Sequence, residues 1–316
     1  MRSTVKESGS TISAPTLYEK TPIADRVEDR SIGSIISQAN NLSAEQLEAI
    51  LVHQRKTGQR FGEAAVNLGF IREKDVIWAL AQQYQYPYRN KSDKAKSDEL
   101  VVANEPFCEH AELFRNLRSQ LLIKLNAGNA GGPVPDSLAD RRGHCIAVVS
   151  ANRGDGKTFT ASNMALTFAQ LGGKVALIDC DMRNARIQGL FNLSDRARGL
   201  SEALSGRADA ELYLPFPEFN GLYVLPSGII PPNPQELVER PNFAFLLTKL
   251  RQKFDYIIVD TPAADIGVDC IAIASRCDGA LIVARRNSTT AKAYTHLHAF
   301  CDRASINVLG TVLNEY

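Results

Sequence analysis

Eight residues, Ala151 to Thr158 (ANRGDGKT), place two glycines, a lysine and a threonine at a spacing that suits an anionic phosphate. Gly154 and Gly156 lack a Cβ, so successive backbone N–H groups can turn inward around an anion. The helix expected to start near Lys157 aims the positive end of its dipole at the same spot. Lys157 adds a full charge for the β and γ phosphates, and the Thr158 hydroxyl is a candidate Mg2+ ligand. Arg153, Asp155 and Phe159 complete the candidate nucleotide-contacting set. The bland alternative is a glycine-rich turn that binds nothing, and Ala151 stands where such loops carry their first glycine. An apolar run before the loop and a helical stretch after it favour the nucleotide.

Three carboxylates follow apolar runs: Asp179 and Asp181 close VALIDCD, and Asp260 closes FDYIIVD. A carboxylate that ends a strand facing a phosphate loop can hold Mg2+ directly or through water, or accept a proton from an attacking hydroxyl. One such aspartate alone reads better as a helix cap. Three beside the loop point to Mg-ATP chemistry, with Lys157, Asp179, Asp181 and Asp260 as the catalytic candidates and Thr158, Asp179 and Asp260 as the metal candidates.

The elements that must position these residues alternate. Apolar runs at 145–149, 222–225, 256–259, 280–283 and 308–313 are expected strands, and segments near 198–205, 234–252, 269–275 and 290–303 are expected helices. Such runs, buried on both faces, predict an α/β fold with a mostly parallel sheet flanked by helices, its active residues at the carboxyl ends of the strands. Residues 109–123 read as an amphipathic helix and 126–143 as a flexible loop.

Four segments precede or make up this organisation. Residues 1–30, rich in Ser, Thr and Glu, are expected to be a disordered tail. Residues 31–90 hold an internal repeat of period 29: 32–54 overlies 61–83, matching Gly33 with Gly62, Asn40 with Gly69, Leu51 with Leu80 and Gln54 with Gln83. Each copy reads as a short helix, a turn and a longer helix, with Ser43 and Gln46 as a capping box, and the two copies should share one core. Residues 91–105 read as a polar linker and 106–316 as the nucleotide domain.

Bulk properties exclude some roles. The 316 residues carry a net charge of +1, which gives no argument for nucleic acid or an anionic membrane. The six cysteines have no metal spacing and read as free thiols of a reducing cytosol. No apolar run approaches a membrane span, and the polar N-terminus is unlike a signal peptide. A cytoplasmic location is expected, with any recruitment to the inner membrane left to a partner.

The loop at 151–158, IDCDMR (178–183), LPSGIIPPNPQEL (225–237) and VDTP (259–262) followed by Asp269 together resemble the bacterial tyrosine kinases of exopolysaccharide synthesis, a P-loop NTPase group. The resemblance covers about residues 106–316. The run PPNPQEL is its distinctive part, although Asn233 as cap, Pro234 at the first helical position and Glu236 at the third explain it structurally as well. The resemblance implies an ATP- and Mg2+-dependent protein-tyrosine (auto)kinase that regulates exopolysaccharide chain length, polymerisation or export. It implies Lys157 on the β and γ phosphates and Thr158 on Mg2+. One of Asp179 and Asp181 would be the base for a tyrosine hydroxyl, Asp260 would reach Mg2+ through water, and Asn314 would read the adenine. It also implies activation by the cytoplasmic tail of a membrane chain-length-determinant protein. Assembly into a homo-oligomeric ring would run through a Glu-x-x-Arg-x-x-Arg helix, matched by Glu112, Arg115 and Arg118; an i, i+3 surface ion pair is the simpler reading of those residues. The chain departs from the pattern at Arg153 and Ala185, where proline is usual, and in its tail. Tyr316 is the sole C-terminal tyrosine and the candidate phosphoacceptor; Tyr84, Tyr86 and Tyr88 form a cluster elsewhere. The alternative is a regulatory or positioning P-loop ATPase. Asn152, where the positioning ATPases carry a signature lysine, and a chain end without an amphipathic membrane helix argue against the positioning form.

Residues 31–90 resemble the N-terminal domain of type II secretion and pilus ATPases. Paired motifs in some of those proteins bind cyclic di-GMP. Arg60, Gly62, Gly69 and Gln83 match in the second copy, whereas the first has Ser31 where the motif has Arg and Asn40 where it has Gly. Cyclic di-GMP is therefore a candidate ligand, with protein docking as the competing role.

Overall fold

The computed structural model describes residues 31–83, 97–128, 143–194, 197–207, 212–217 and 219–315. The chain divides into two compact units, Met1–Gln83 and Tyr84–Tyr316.

In the first unit, α1 (Ile32–Asn40), α2 (Ala44–Thr57), α3 (Phe61–Asn67) and α4 (Glu73–Gln83) follow the repeat. Equivalent positions meet in one core: Ile36 and Ala65, Ile50 and Ala79 are all buried. The capping box forms: Ser43 Oγ accepts from the Gln46 N–H at 3.2 Å, and Gln46 Oε1 accepts from the Ser43 N–H at 2.9 Å. The turn differs between copies. The left-handed residue is Gly69 in the second (φ +74°) but Asn41 in the first (φ +49°), one position beyond the match to Asn40, because α1 runs further than α3 before it ends. Asparagine tolerates that conformation better than most residues.

The second unit opens with α5 (Val101–Asn104) and α6 (Glu109–Gly128), followed by β1 (His144–Ser150), α7 (Lys157–Ala169), β2 (Val175–Asp179), α8 (Ile187–Leu190) and α9 (Leu200–Leu204). Then come β3 (Leu214–Pro215), β4 (Leu222–Leu225), α10 (Pro234–Glu239), α11 (Pro241–Lys253), β5 (Tyr256–Asp260), α12 (Asp269–Ala274), β6 (Gly279–Arg285), α13 (Ala291–Arg303) and β7 (Val308–Asn314). The strands form one sheet in the order β3-β4-β2-β5-β1-β6-β7, parallel throughout except for the short β3 edge. Alternate residues of the central strands serve two cores. Ile146, Val148, Leu177 and Ile258 face one layer with Phe114 of α6 and Met164 and Phe168 of α7. Ile178 and Val259 face Phe243 and Leu250 of α11, and Ala147 and Val149 face Leu297 and Cys301 of α13.

The reading of residues 91–105 as linker needs correction at its end. Leu100, Val102 and Ala103 are buried in the main core. Asn163 of α7 holds the segment, accepting from the Val102 N–H at 3.0 Å and donating to the Glu99 carbonyl at 2.8 Å. Four apolar residues in a row were too few to show a period. The helix expected over 234–252 breaks at Arg240, whose backbone is extended before Pro241. All six cysteines are free thiols, four buried and two half-buried. No helix among the described residues is long and apolar enough to cross a membrane. The expected tail 1–30 and Tyr84, Tyr86, Tyr88 and Tyr316 lie outside the described residues.

Candidate active site at the carboxyl edge of the sheet

Parallel register brings the acidic residues together. β5 lies between β1 and β2, with Asp260 opposite Val148 on one side and Asp179 on the other. The two strand-ending carboxylates are therefore neighbours, beside the loop that leaves β1. Gly154 and Gly156 adopt φ +87° and +101°, the left-handed backbone the cradle requires. α7 begins at Lys157, which is buried, and Thr158 follows with its Oγ1 donating to Asp260 Oδ2 at 2.7 Å.

Charge is concentrated here out of water. Asp179 and Asp260 are fully buried and Asp181 nearly so. Burial pushes the Asp260 carboxyl up to about 7, against the opposing pull of the Thr158 hydroxyl and Lys157. Burial, then the charge of Asp260, raises Asp179 well above the usual carboxylate range, although the Ile187 and Asp181 N–H groups donate to it at 3.2 Å each. Asp181 is raised by burial, with the Asn184 N–H (2.9 Å) and Lys157 pulling the other way.

These residues fit a hard divalent cation that shares its shell with phosphate. Asp260 Oδ1 is buried with no hydrogen-bond partner, and the donors around it are oxygens. Among the described residues no group of three or more His, Cys, Asp or Glu is arranged to hold a metal alone. Mg2+ keeps waters and takes ligands from the substrate, so it needs few protein oxygens.

The other predicted residues divide. Arg153 is exposed, and its N–H donates to Asp265 Oδ2 at 3.1 Å. Asp155 does not offer its side chain to a ligand: it is fully buried and its carboxylate is engaged within the fold. Asn314 reaches the loop, donating to the Asp155 carbonyl at 3.1 Å. Phe159 packs on Phe114 with ring centroids 5.7 Å apart. Beside it a cavity of about 400 Å³ opens, lined among others by Leu113, Leu117, Val312 and Asn314. On α6 the Glu112–Arg115 ion pair forms within the chain, Arg115 also donates to the Pro106 carbonyl, and Arg118 donates to the Thr167 carbonyl at 2.7 Å. Glu112 alone of the three is exposed. In the first unit Arg60 and Gln83 are exposed. Gly62 has a packing reason instead, since a Cβ there would stand 2.6 Å from Val76 Cγ1.

Some contacts were not anticipated. Arg183 Nε donates to Asp269 Oδ2 at 2.9 Å, tying the segment after β2 to the start of α12. Thr289 and Arg285, after and at the end of β6, both touch the phosphate loop. Their readable signal was position alone: each follows or ends an apolar strand, where parallel sheets gather functional groups.

Known proteins are similar to this chain. The ParA family, described as NUBPL iron-transfer P-loop NTPases, matches residues 141–315. The tyrosine-protein kinase CpsD of Streptococcus pneumoniae serotype 4 is 37% identical over 170 residues, which is 54% of this chain and 75% of CpsD. The tyrosine-protein kinase Etk of Escherichia coli K12 is 32% identical over 222 residues, 70% of this chain but 28% of that longer protein. The solved kinase domain of Escherichia coli Etk superposes with a TM-score of 0.61 at 28% identity, covering 72% of this chain and 83% of that domain. The chain belongs to this P-loop NTPase family and, within it, to the bacterial tyrosine-protein kinases.

Proposed function

We propose that this bacterial tyrosine kinase transfers the γ-phosphoryl group of Mg-ATP to tyrosine, on itself and on partner proteins, and so regulates exopolysaccharide chain length, polymerisation or export. The observation that carries the reading is the convergence of Lys157, Thr158, Asp179, Asp181 and Asp260 on one buried edge of the sheet. Lys157 and the loop N–H groups bind and orient the phosphates. Thr158, Asp179 and Asp260 supply the oxygen ligands of Mg2+, which would neutralise charge on the phosphoryl oxygens when bound. Asp181 is the base for the tyrosine hydroxyl. It is the less enclosed member of its pair, and its raised pKa suits a proton acceptor. The cavity beside Phe159 has room for the nucleoside, with Asn314 at its edge.

Around this core the partners follow the same reading. The cytoplasmic tail of a membrane chain-length-determinant protein activates the kinase and recruits it to the inner membrane. Copies join through the α6 face that carries Glu112, with Arg115 and Arg118 shaping it. Tyr316 is the phosphoacceptor. The first unit binds cyclic di-GMP through Arg60, Gln83 and the backbone at Gly69, all exposed, whereas Gly62 is buried against Val76.

Asp181→Asn tests the assignment of roles. The variant should bind ATP as the wild type does and lose roughly 10²–10⁴ of its tyrosine phosphorylation rate. Phosphorylation within threefold of wild type would remove Asp181 as the base.

A further inference from the structure

The phosphate loop is gripped from outside by two strands that carry none of the acidic residues. Asp155 is the point of attachment. Its Oδ2 accepts from the Asn152 N–H at 2.9 Å, inside the loop, and its Oδ1 accepts from the Thr289 hydroxyl at 2.9 Å. Thr289 Oγ1 itself accepts from the Arg285 N–H at 2.8 Å, and the Arg285 guanidinium donates to the Gly154 carbonyl at 3.3 Å. From β7, Asn314 Nδ2 donates to the Asp155 carbonyl at 3.1 Å. The seat is tight: a Cβ on Gly156 would lie 2.1 Å from Asn314 Nδ2.

We propose that Thr289 and Asn314 are positioning residues for the phosphate loop, acting through Asp155. The inference rests on the nucleotide reading of the loop. Two glycines at positive φ give the loop many conformations to lose when it wraps an anion. Fixing Asp155 at side chain and main chain lowers that cost before the ligand arrives. A buried carboxylate close to incoming phosphates also needs its oxygens occupied, and Asn152 and Thr289 occupy one each. A positioning role acts on every ligand that carries the phosphates. A base-reading role acts only on the nucleoside.

Affinities of the full chain for ADP, GDP and inorganic pyrophosphate, read by competition against fluorescent ADP, separate the two. Thr289→Val and Asn314→Ala should each weaken ADP, GDP and pyrophosphate by a common factor of about ten, the loss expected for one hydrogen bond to a buried group. Thr289→Ser should stay within about twofold of wild type, because it keeps the hydroxyl. Asn314→Ala that weakens ADP alone would overturn the proposal for Asn314. Thr289→Val with unchanged affinities, or Thr289→Ser as weak as Thr289→Val, would overturn it for Thr289 and leave the side chain a packing role. Phosphotyrosine formation by the wild type is a separate readout, so failure of the kinase reading would show there without touching these affinities.

Discussion

The chemistry at the residue scale depends on carboxylates held where they resist ionising. Asp260 is fully buried, with its pKa pushed up to about 7, and its Oδ1 lacks a partner. Between the ordinary carboxylate value near 4 and about 7, the free folded protein keeps a proton that the unfolded chain has released. Its stability therefore falls as pH rises through that window, while Mg2+ with nucleotide, which needs the ionised carboxylate, binds more tightly. Thermal melting from pH 5 to 8 should show the free protein losing stability and the Mg-ADP increment growing. In Asp260→Asn both slopes should flatten; slopes equal to wild type would show that Asp260 is not the group responsible. Lys157 and Thr158 were marked in the sequence by the two glycines before them, and the three aspartates by their place at the ends of apolar runs. The role of Asp155 was not legible. A loop residue beside two glycines reads as ligand-facing until the β6 and β7 contacts are seen.

At the scale of elements, long periodic segments were readable and short ones were not. The strands 256–260 and 279–285 lie where apolar runs placed them, since parallel strands buried on both faces leave little else to read. α8, with four residues, and β3, with two, carry no period of their own and exist through their neighbours. α5 belongs to the same class, held by Asn163. The break at Arg240 was missed by the reading of 234–252 as one helix, although Pro241 cannot donate to a continuing helix. In the first unit the two copies share one core, and at Gly62 α3 lies close enough to α4 that a Cβ would stand 2.6 Å from Val76 Cγ1. Gly62→Val should destabilise that unit by about 1–3 kcal/mol through overpacking against Val76. Chemical denaturation followed at Trp78, which packs against that core, checks this. An unchanged midpoint would mean that α3 and α4 part without cost.

At the scale of the whole molecule, one chain joins a kinase unit to a helical repeat unit. The kinase unit is accounted for by its family, and the relatives CpsD and Etk are both tyrosine-protein kinases. The reading of the repeat unit as a cyclic di-GMP module is a proposal. Titration of the full chain with cyclic di-GMP should give saturable binding that Arg60→Ala weakens at least tenfold, because an arginine can stack on guanine and pair with phosphate at once. No heat at high micromolar ligand would remove the cyclic di-GMP reading. The central claim concerns phosphoryl transfer, and mass spectrometry of the full chain tests it most directly. The protein would be incubated with Mg-ATP and the partner's cytoplasmic tail, with Lys157→Met beside it. The account predicts phosphotyrosine in the wild type, including Tyr316, and none in the variant. ATP hydrolysis without phosphotyrosine would contradict it and leave a regulatory ATPase built on a kinase fold.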